Sequence, residues 1–154
     1  MAYSKSTYSR WFNLLKKWAK KRFNITLVFD SGQGDRYIGE ERTVYVNTCQ
    51  SRENQLFSLL HELGHAQARK SEKTFCKKYN LLAESEITGN PVRSNAYRIQ
   101  LLEEEIQAWR NGERIADKLK IRLDKRTYNN YAGLCVMSYV DWAARREWQV
   151  SAYA

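Results

Sequence analysis

The sequence predicts an α+β fold, and three observations predict it. Apolar side chains recur at helical spacing over residues 7 to 23, β-branched and aromatic residues concentrate between residues 25 and 47, and helical periodicity governs the chain from Ser51 onward. With 154 residues, one Pro, seven Gly and 43% apolar side chains, the chain has the size of one domain and enough apolar material for a core. It shows no internal repeat and no linker, so residues 1 to 154 read as a single domain.

The first helix takes its inner face from Tyr8, Trp11, Phe12, Leu15, Trp18, Ala19 and Phe23, with Lys16, Lys17, Lys20 and Lys21 mostly on the other side. It reads as a helix packed on the core rather than one lying on a membrane surface. Ile25 to Phe29 is β-branched and apolar. Thr43-Val44-Tyr45-Val46-Asn47 alternates as a strand does. Asp30 to Asp35 is turn chemistry and Arg36 to Gly39 a short third strand, so a small antiparallel sheet is expected. The segment Thr43 to Asn47, just ahead of the next helix, is a candidate edge for pairing with an extended peptide, unless it is internal. Leu56, Leu59, Leu60 and Leu63 mark a helix running to about residue 70, with Thr48 or Ser51 as its cap. A polar, irregular stretch follows and ends at Gly89-Asn90-Pro91. A long helix is predicted from about Ser94 to Lys120. A last one is predicted from Lys125 to Trp148, with Tyr128, Tyr131, Leu134, Cys135, Val136, Tyr139 and Trp142 on its apolar surface.

Composition removes several functions. Cys49, Cys76 and Cys135 are odd in number and never closely spaced, which excludes a disulfide framework and a zinc finger and suits a reducing compartment. No apolar run is long enough to span a membrane, and the N-terminus lacks the apolar core and cleavage site of a secretory signal, so a cytoplasmic location is expected. The net charge is +9, and residues 1 to 29 hold seven basic residues and no acid. Such a balance favours acidic partners, nucleic acid among them, without choosing one.

The informative stretch is Leu60-His61-Glu62-Leu63-Gly64-His65-Ala66. On a helix, His61 and His65 fall on one face, one turn apart. Two imidazoles so placed can bind one Zn²⁺ at about 2.0–2.1 Å each. Glu62, beside them, can reach a metal-bound water rather than the metal, so one turn supplies two ligands and a general base. The chain has only two histidines and both are here. A shuffled chain of this composition meets the pattern roughly once in a thousand sequences. Gly64, a poor helix residue, implies that a backbone or a substrate approaches closely at that point.

Catalytic zinc needs a third protein ligand and an open position. No third His exists, which excludes the SprT-like DNA-repair proteases and other sites with three histidines. A carboxylate or Cys must serve. In Leu101-Leu102-Glu103-Glu104-Glu105-Ile106-Gln107-Ala108-Trp109, an apolar stripe runs through Tyr97, Leu101, Ala108, Ile115 and Leu119. Glu104 and Glu105 interrupt it, while Glu103 points away beside Ile99 and Ile106. A carboxylate on a core-facing stripe is costly unless paired or metal-bound. Glu84 and Glu86, 19 and 21 residues after His65, are rivals, but a regular helix holds geometry better than a loop.

His61-Glu62-Leu63-Gly64-His65 followed by Glu105-Ile106-Gln107-Ala108-Trp109 resembles the HExxH-plus-Glu, gluzincin-type metallopeptidases, and among them the small ImmA/IrrE-like proteins and their phage-encoded relatives. The resemblance covers roughly residues 8 to 120. It implies a minimal zincin-like fold, with His61, His65 and Glu105 as zinc ligands and Glu62 as the catalytic base. The residue after Ala108 is Trp109, where the cellular members have Asn or Asp, and no helix-turn-helix extension follows. The resemblance further implies a zinc-dependent endopeptidase acting on a protein substrate such as a DNA-binding repressor, in the host cytoplasm if phage-encoded. A second electrophile for the oxyanion would come from a Tyr or Arg, with Tyr128, Tyr131 and Arg93 as candidates. The alternative is a non-catalytic, zinc-containing basic module that binds nucleic acid or a partner protein.

Overall fold

The computed structural model describes residues 3–89 and 94–145. The described residues form α1 (Lys5–Phe23), β1 (Thr26–Asp30), β2 (Arg36–Ile38), β3 (Thr43–Asn47), α2 (Arg52–Ala68), α3 (Glu72–Lys78), α4 (Asn80–Thr88), α5 (Asn95–Lys118) and α6 (Lys125–Ala144). This is the α+β arrangement that the sequence predicts. Among the described residues, no helix is long and apolar enough to cross a membrane.

The helix starts follow side-chain chemistry. Ser4, Ser51, Ser71, Ser94 and Asp124 each accept a hydrogen bond from the backbone N–H three residues on, opening α1, α2, α3, α5 and α6. Helix α1 buries Tyr8, Trp11, Phe12, Leu15 and Ala19 and leaves its lysines in solvent, so it is a core helix. Helix α2 is the centre of the molecule. Leu56, Phe57, Leu59, Leu60 and Leu63 are each 2% exposed or less, and they face α1, the sheet and α5.

The sheet is mixed, not antiparallel. Its order is β1-β3-β2, with β1 parallel to β3 and β2 antiparallel to it. The reason lies in the two connections. A tight turn joins β2 to β3, with Arg42 N–H donating to the Gly39 carbonyl and Arg42 left-handed at φ 47°. The longer link after β1 opens with Gly32 N–H on the Asp30 carboxylate and carries the chain past the site of β3. The segment Thr43–Asn47 is therefore the central strand, and the edges belong to β1 and β2. That removes Thr43–Asn47 as a docking edge.

Two further expectations change. The polar stretch after residue 70 is not irregular. It forms α3 and α4, because Phe75, Tyr79 and Leu82 lie at helical spacing and pack with Ala68, Tyr97 and Leu101 into a small second cluster. Helix α6 turns Tyr128 and Ala132 into the core, with Tyr131, Cys135 and Val136 at its margin, while Leu134 is 75% exposed. The expected end of that helix at Trp148, and the expected break at Asn90-Pro91, lie outside the described residues.

Candidate metal centre

The site is built where α2 and α5 touch. A Cβ on Gly64 would overlap the carbonyl oxygen of Ala108. One on Gly112 would lie 2.7 Å from the Leu60 carbonyl oxygen and 2.6 Å from the Tyr128 hydroxyl. Both glycines are therefore needed for the backbones to meet, and the close approach expected at Gly64 is that of α5. Asn111 Nδ2 donates to the Gly64 carbonyl at 3.1 Å, tying the helices at the same level. Two turns before Asn111 and Gly112, α5 presents Glu104 and Glu105, each 5% exposed.

His61, His65 and Glu105 each offer one donor atom, all within 4.8 Å of one another. His61 Nε2 and His65 Nε2 are 3.0 Å apart. Glu105 Oε2 lies 3.3 Å from His61 Nε2, and Glu105 Oε1 3.5 Å from His65 Nε2. Donors about 2.0–2.1 Å from one tetrahedral zinc stand about 3.3–3.4 Å apart, so this triangle has the right size for one ion. Glu105 Oε2 is buried with no hydrogen-bond partner, as a waiting ligand atom would be. The donor set, two imidazoles and a carboxylate, is one that zinc accepts.

The electrostatics also call for a cation. Burial raises the Glu62 carboxyl above the usual range, and the charges of His65 and His61 only partly offset this. Burial opposes a proton on His65, but its hydrogen bond to Glu104 and the charges of Glu104, Glu105 and Glu62 outweigh that and bring it up to about 9. Glu105 is held low despite burial by the His61 imidazole, the charges of both histidines and the hydroxyl of Tyr139. Three buried carboxylates around two imidazoles make a pocket that favours added positive charge.

The rival carboxylates take other positions. Glu104 Oε1 meets His65 Nδ1 at 2.8 Å, on the far side of the ring from the donor triangle. It braces His65 instead of joining the triangle. Glu84 and Glu86 are exposed on α4, and Glu86 accepts from Arg69 Nη1 at 3.0 Å. Among the tyrosines, Tyr128 is 1% exposed and donates to the Trp109 carbonyl at 2.9 Å, which fixes it in the core. The Tyr131 hydroxyl lies 3.4 Å from Gln50 Oε1 and 3.5 Å from Ser58 Oγ, in a polar cluster with Asp35. Arg93 lies outside the described residues. Sequence reasoning missed Tyr139 as a partner of Glu105. The signal was present, since residues 128, 131, 135 and 139 share one face of α6.

The family model of the IrrE N-terminal-like domain (Peptidase_M78) matches residues 20–132, most of the chain. The chain belongs to this family. It is thereby a metallopeptidase-type protein, and a peptidase acts on a protein substrate. The family match takes in α2 and α5 with every donor of the triangle, while Tyr139 lies beyond it. No curated protein and no solved structure matches the chain significantly.

Proposed function

We propose that the chain is a zinc-dependent endopeptidase in which Glu62 activates water for attack on a peptide bond. The observation that carries this reading is the convergence of His61, His65 and Glu105 beside the buried Glu62. These three residues would hold the zinc ion. When bound, the ion supplies Lewis acidity at the scissile carbonyl and makes a water more acidic. Glu62, raised above the usual carboxylate range by burial, is suited to take the proton of the attacking water and deliver it to the leaving amine. Strand β2 is an open edge whose Tyr37 lies within electrostatic reach of Arg69, one turn past His65. An extended substrate would pair there. The likeness to ImmA/IrrE-like proteins favours a regulatory or DNA-binding protein as substrate. The three cysteines are free, which suits one domain working in the cytoplasm.

Glu62→Gln tests the reading. It keeps size and hydrogen bonding but cannot accept the proton. Zinc content should stay at the wild-type level while hydrolysis of a repressor substrate falls about 10²–10⁴-fold. Unchanged cleavage with zinc bound would remove Glu62 as the base. The non-catalytic reading requires a closed zinc site with four protein ligands, but only three donors converge among the described residues.

A further inference from the structure

The two histidines of the motif are held in different ways. His65 has a polar brace, its Nδ1 lying 2.8 Å from Glu104 Oε1. His61 Nδ1 is buried and has no hydrogen-bond partner. Imidazoles that ligate a metal almost always pass their second N–H to a carboxylate, a carbonyl or water, which fixes the tautomer and the ring angle. At His61 no polar group among the described residues does this. Instead the ring of Trp109 lies nearly flat on the imidazole, with centroids 4.2 Å apart and planes 18° from parallel.

That indole cannot swing. Trp109 is 6% exposed. The rings of Tyr128 and Tyr131 meet it edge-on at 5.5 and 5.8 Å. Phe57 backs both tyrosines, at 5.2 and 5.6 Å. The Tyr128 hydroxyl anchors the Trp109 carbonyl. Trp109 also stands one helical turn after Glu105, so the element that offers the carboxylate also offers the flat wall for His61.

We propose that Trp109 is a positioning residue of the metal centre, its indole plane fixing the ring angle of His61 by stacking where a hydrogen-bond acceptor would otherwise do so. This rests on the metal-binding reading above. It makes the two imidazoles unequal. The carboxylate of Glu104 draws on the second N–H of His65 and strengthens it as a donor to a cation. His61 receives no such help, so its contribution depends on aim, and its aim depends on the aromatic wall.

The test compares zinc affinity, by competition with a chromophoric chelator, in the wild type, Trp109→Leu, Trp109→Phe, Phe12→Leu and His61→Ala. Leu fills space without a ring plane, and Phe restores the plane. Affinity should fall about 10–100-fold for Trp109→Leu, as when an outer partner of a ligand is lost, and recover most of that for Trp109→Phe. The cobalt-loaded proteins should show the same ordering, with the absorption bands of Trp109→Leu altered. Phe12→Leu, which removes a buried ring packed on Tyr8 and Phe29 and outside the aromatic wall, should lower the melting temperature and leave affinity unchanged, which separates positioning from stability. In the unmutated zinc-loaded protein, the His61 ring protons should be displaced upfield by the indole, a measurement that needs no variant to fold. Wild-type affinity in Trp109→Leu, equal losses for Leu and Phe, or no upfield displacement would overturn the inference. Were His61→Ala to bind zinc as the wild type does, the metal-binding reading itself would fall. Dependence on His61 without dependence on Trp109 would sink the positioning role alone.

Discussion

Glu104 and Glu105 are neighbours in the chain with separate tasks. Successive helical residues point about 100° apart, so one carboxylate reaches His65 Nδ1 and the other faces both Nε2 atoms. Removing them should have different results. Glu105→Ala takes a donor from the triangle, and metal analysis of the purified variant should find zinc largely gone. Glu104→Gln leaves the triangle whole and weakens the brace on His65. Zinc affinity should drop about 10–100-fold while the site still fills at saturating metal. Full zinc occupancy in Glu105→Ala, with loss in Glu104→Ala or Glu86→Ala, would show that the ligand has been misassigned.

At the scale of elements, the contact of α2 with α5 decides whether the site exists. The sequence places donors on each helix, but only backbone contact at Gly64 and Gly112 brings them together. Gly64→Ala inserts a methyl against the Ala108 carbonyl, which neither helix can yield without separating. Overpacking of this kind costs about 1–3 kcal/mol, and here the displaced helix carries Glu105. The variant should melt at lower temperature and bind zinc poorly. Gly133→Ala is the contrasting case. On α6 a Cβ at Gly133 meets nothing within 4 Å. That change should raise stability by about 0.5–1 kcal/mol, read from chemical denaturation, with zinc binding untouched.

At the scale of the molecule, metal and charge act on the whole chain. A ligand that binds only the folded state stabilises it by mass action. Chelation should therefore lower the melting temperature, and added zinc should restore it, whereas Glu105→Ala should respond to neither. The excess of positive charge gathers in part on α1. There Lys16, Lys17, Lys20 and Lys21, with Asn13 and the start of β1, line an open groove of about 630 Å³. With no base-reading helix or ribbon evident among the described residues, DNA binding followed by fluorescence anisotropy should be weak, fall steeply with salt and ignore sequence. Tight binding to one sequence that persists at high salt would contradict this.

How much of this was legible in the residues varies with the range of the interaction that decides it. Local patterns reported truly. The helical spacing of Trp11, Leu15 and Ala19, the alternation of Val44 and Val46, the cap at Ser51, the helix start near Ser94, and the one-turn separation of His61 and His65 are properties of short segments. Each follows from steric and hydrogen-bonding rules that act within a few residues. The α+β class and the candidate ligands followed from them. The direction of β1 relative to β3 did not, since a strand reads the same in a parallel or an antiparallel ladder and only the path of residues 31–35 chooses. Helices α3 and α4 were hidden because their apolar residues are few and find partners only in Tyr97 and Leu101, far along the chain. The separate tasks of Glu104 and Glu105, the nearness of Tyr139 to Glu105 and the stacking of Trp109 were likewise out of reach. Each depends on the angle and depth at which α5 and α6 meet α2, which packing of distant side chains sets. The sequence by itself determined which residues could bind and activate. Tertiary packing alone decided which of them face one another across a few ångströms.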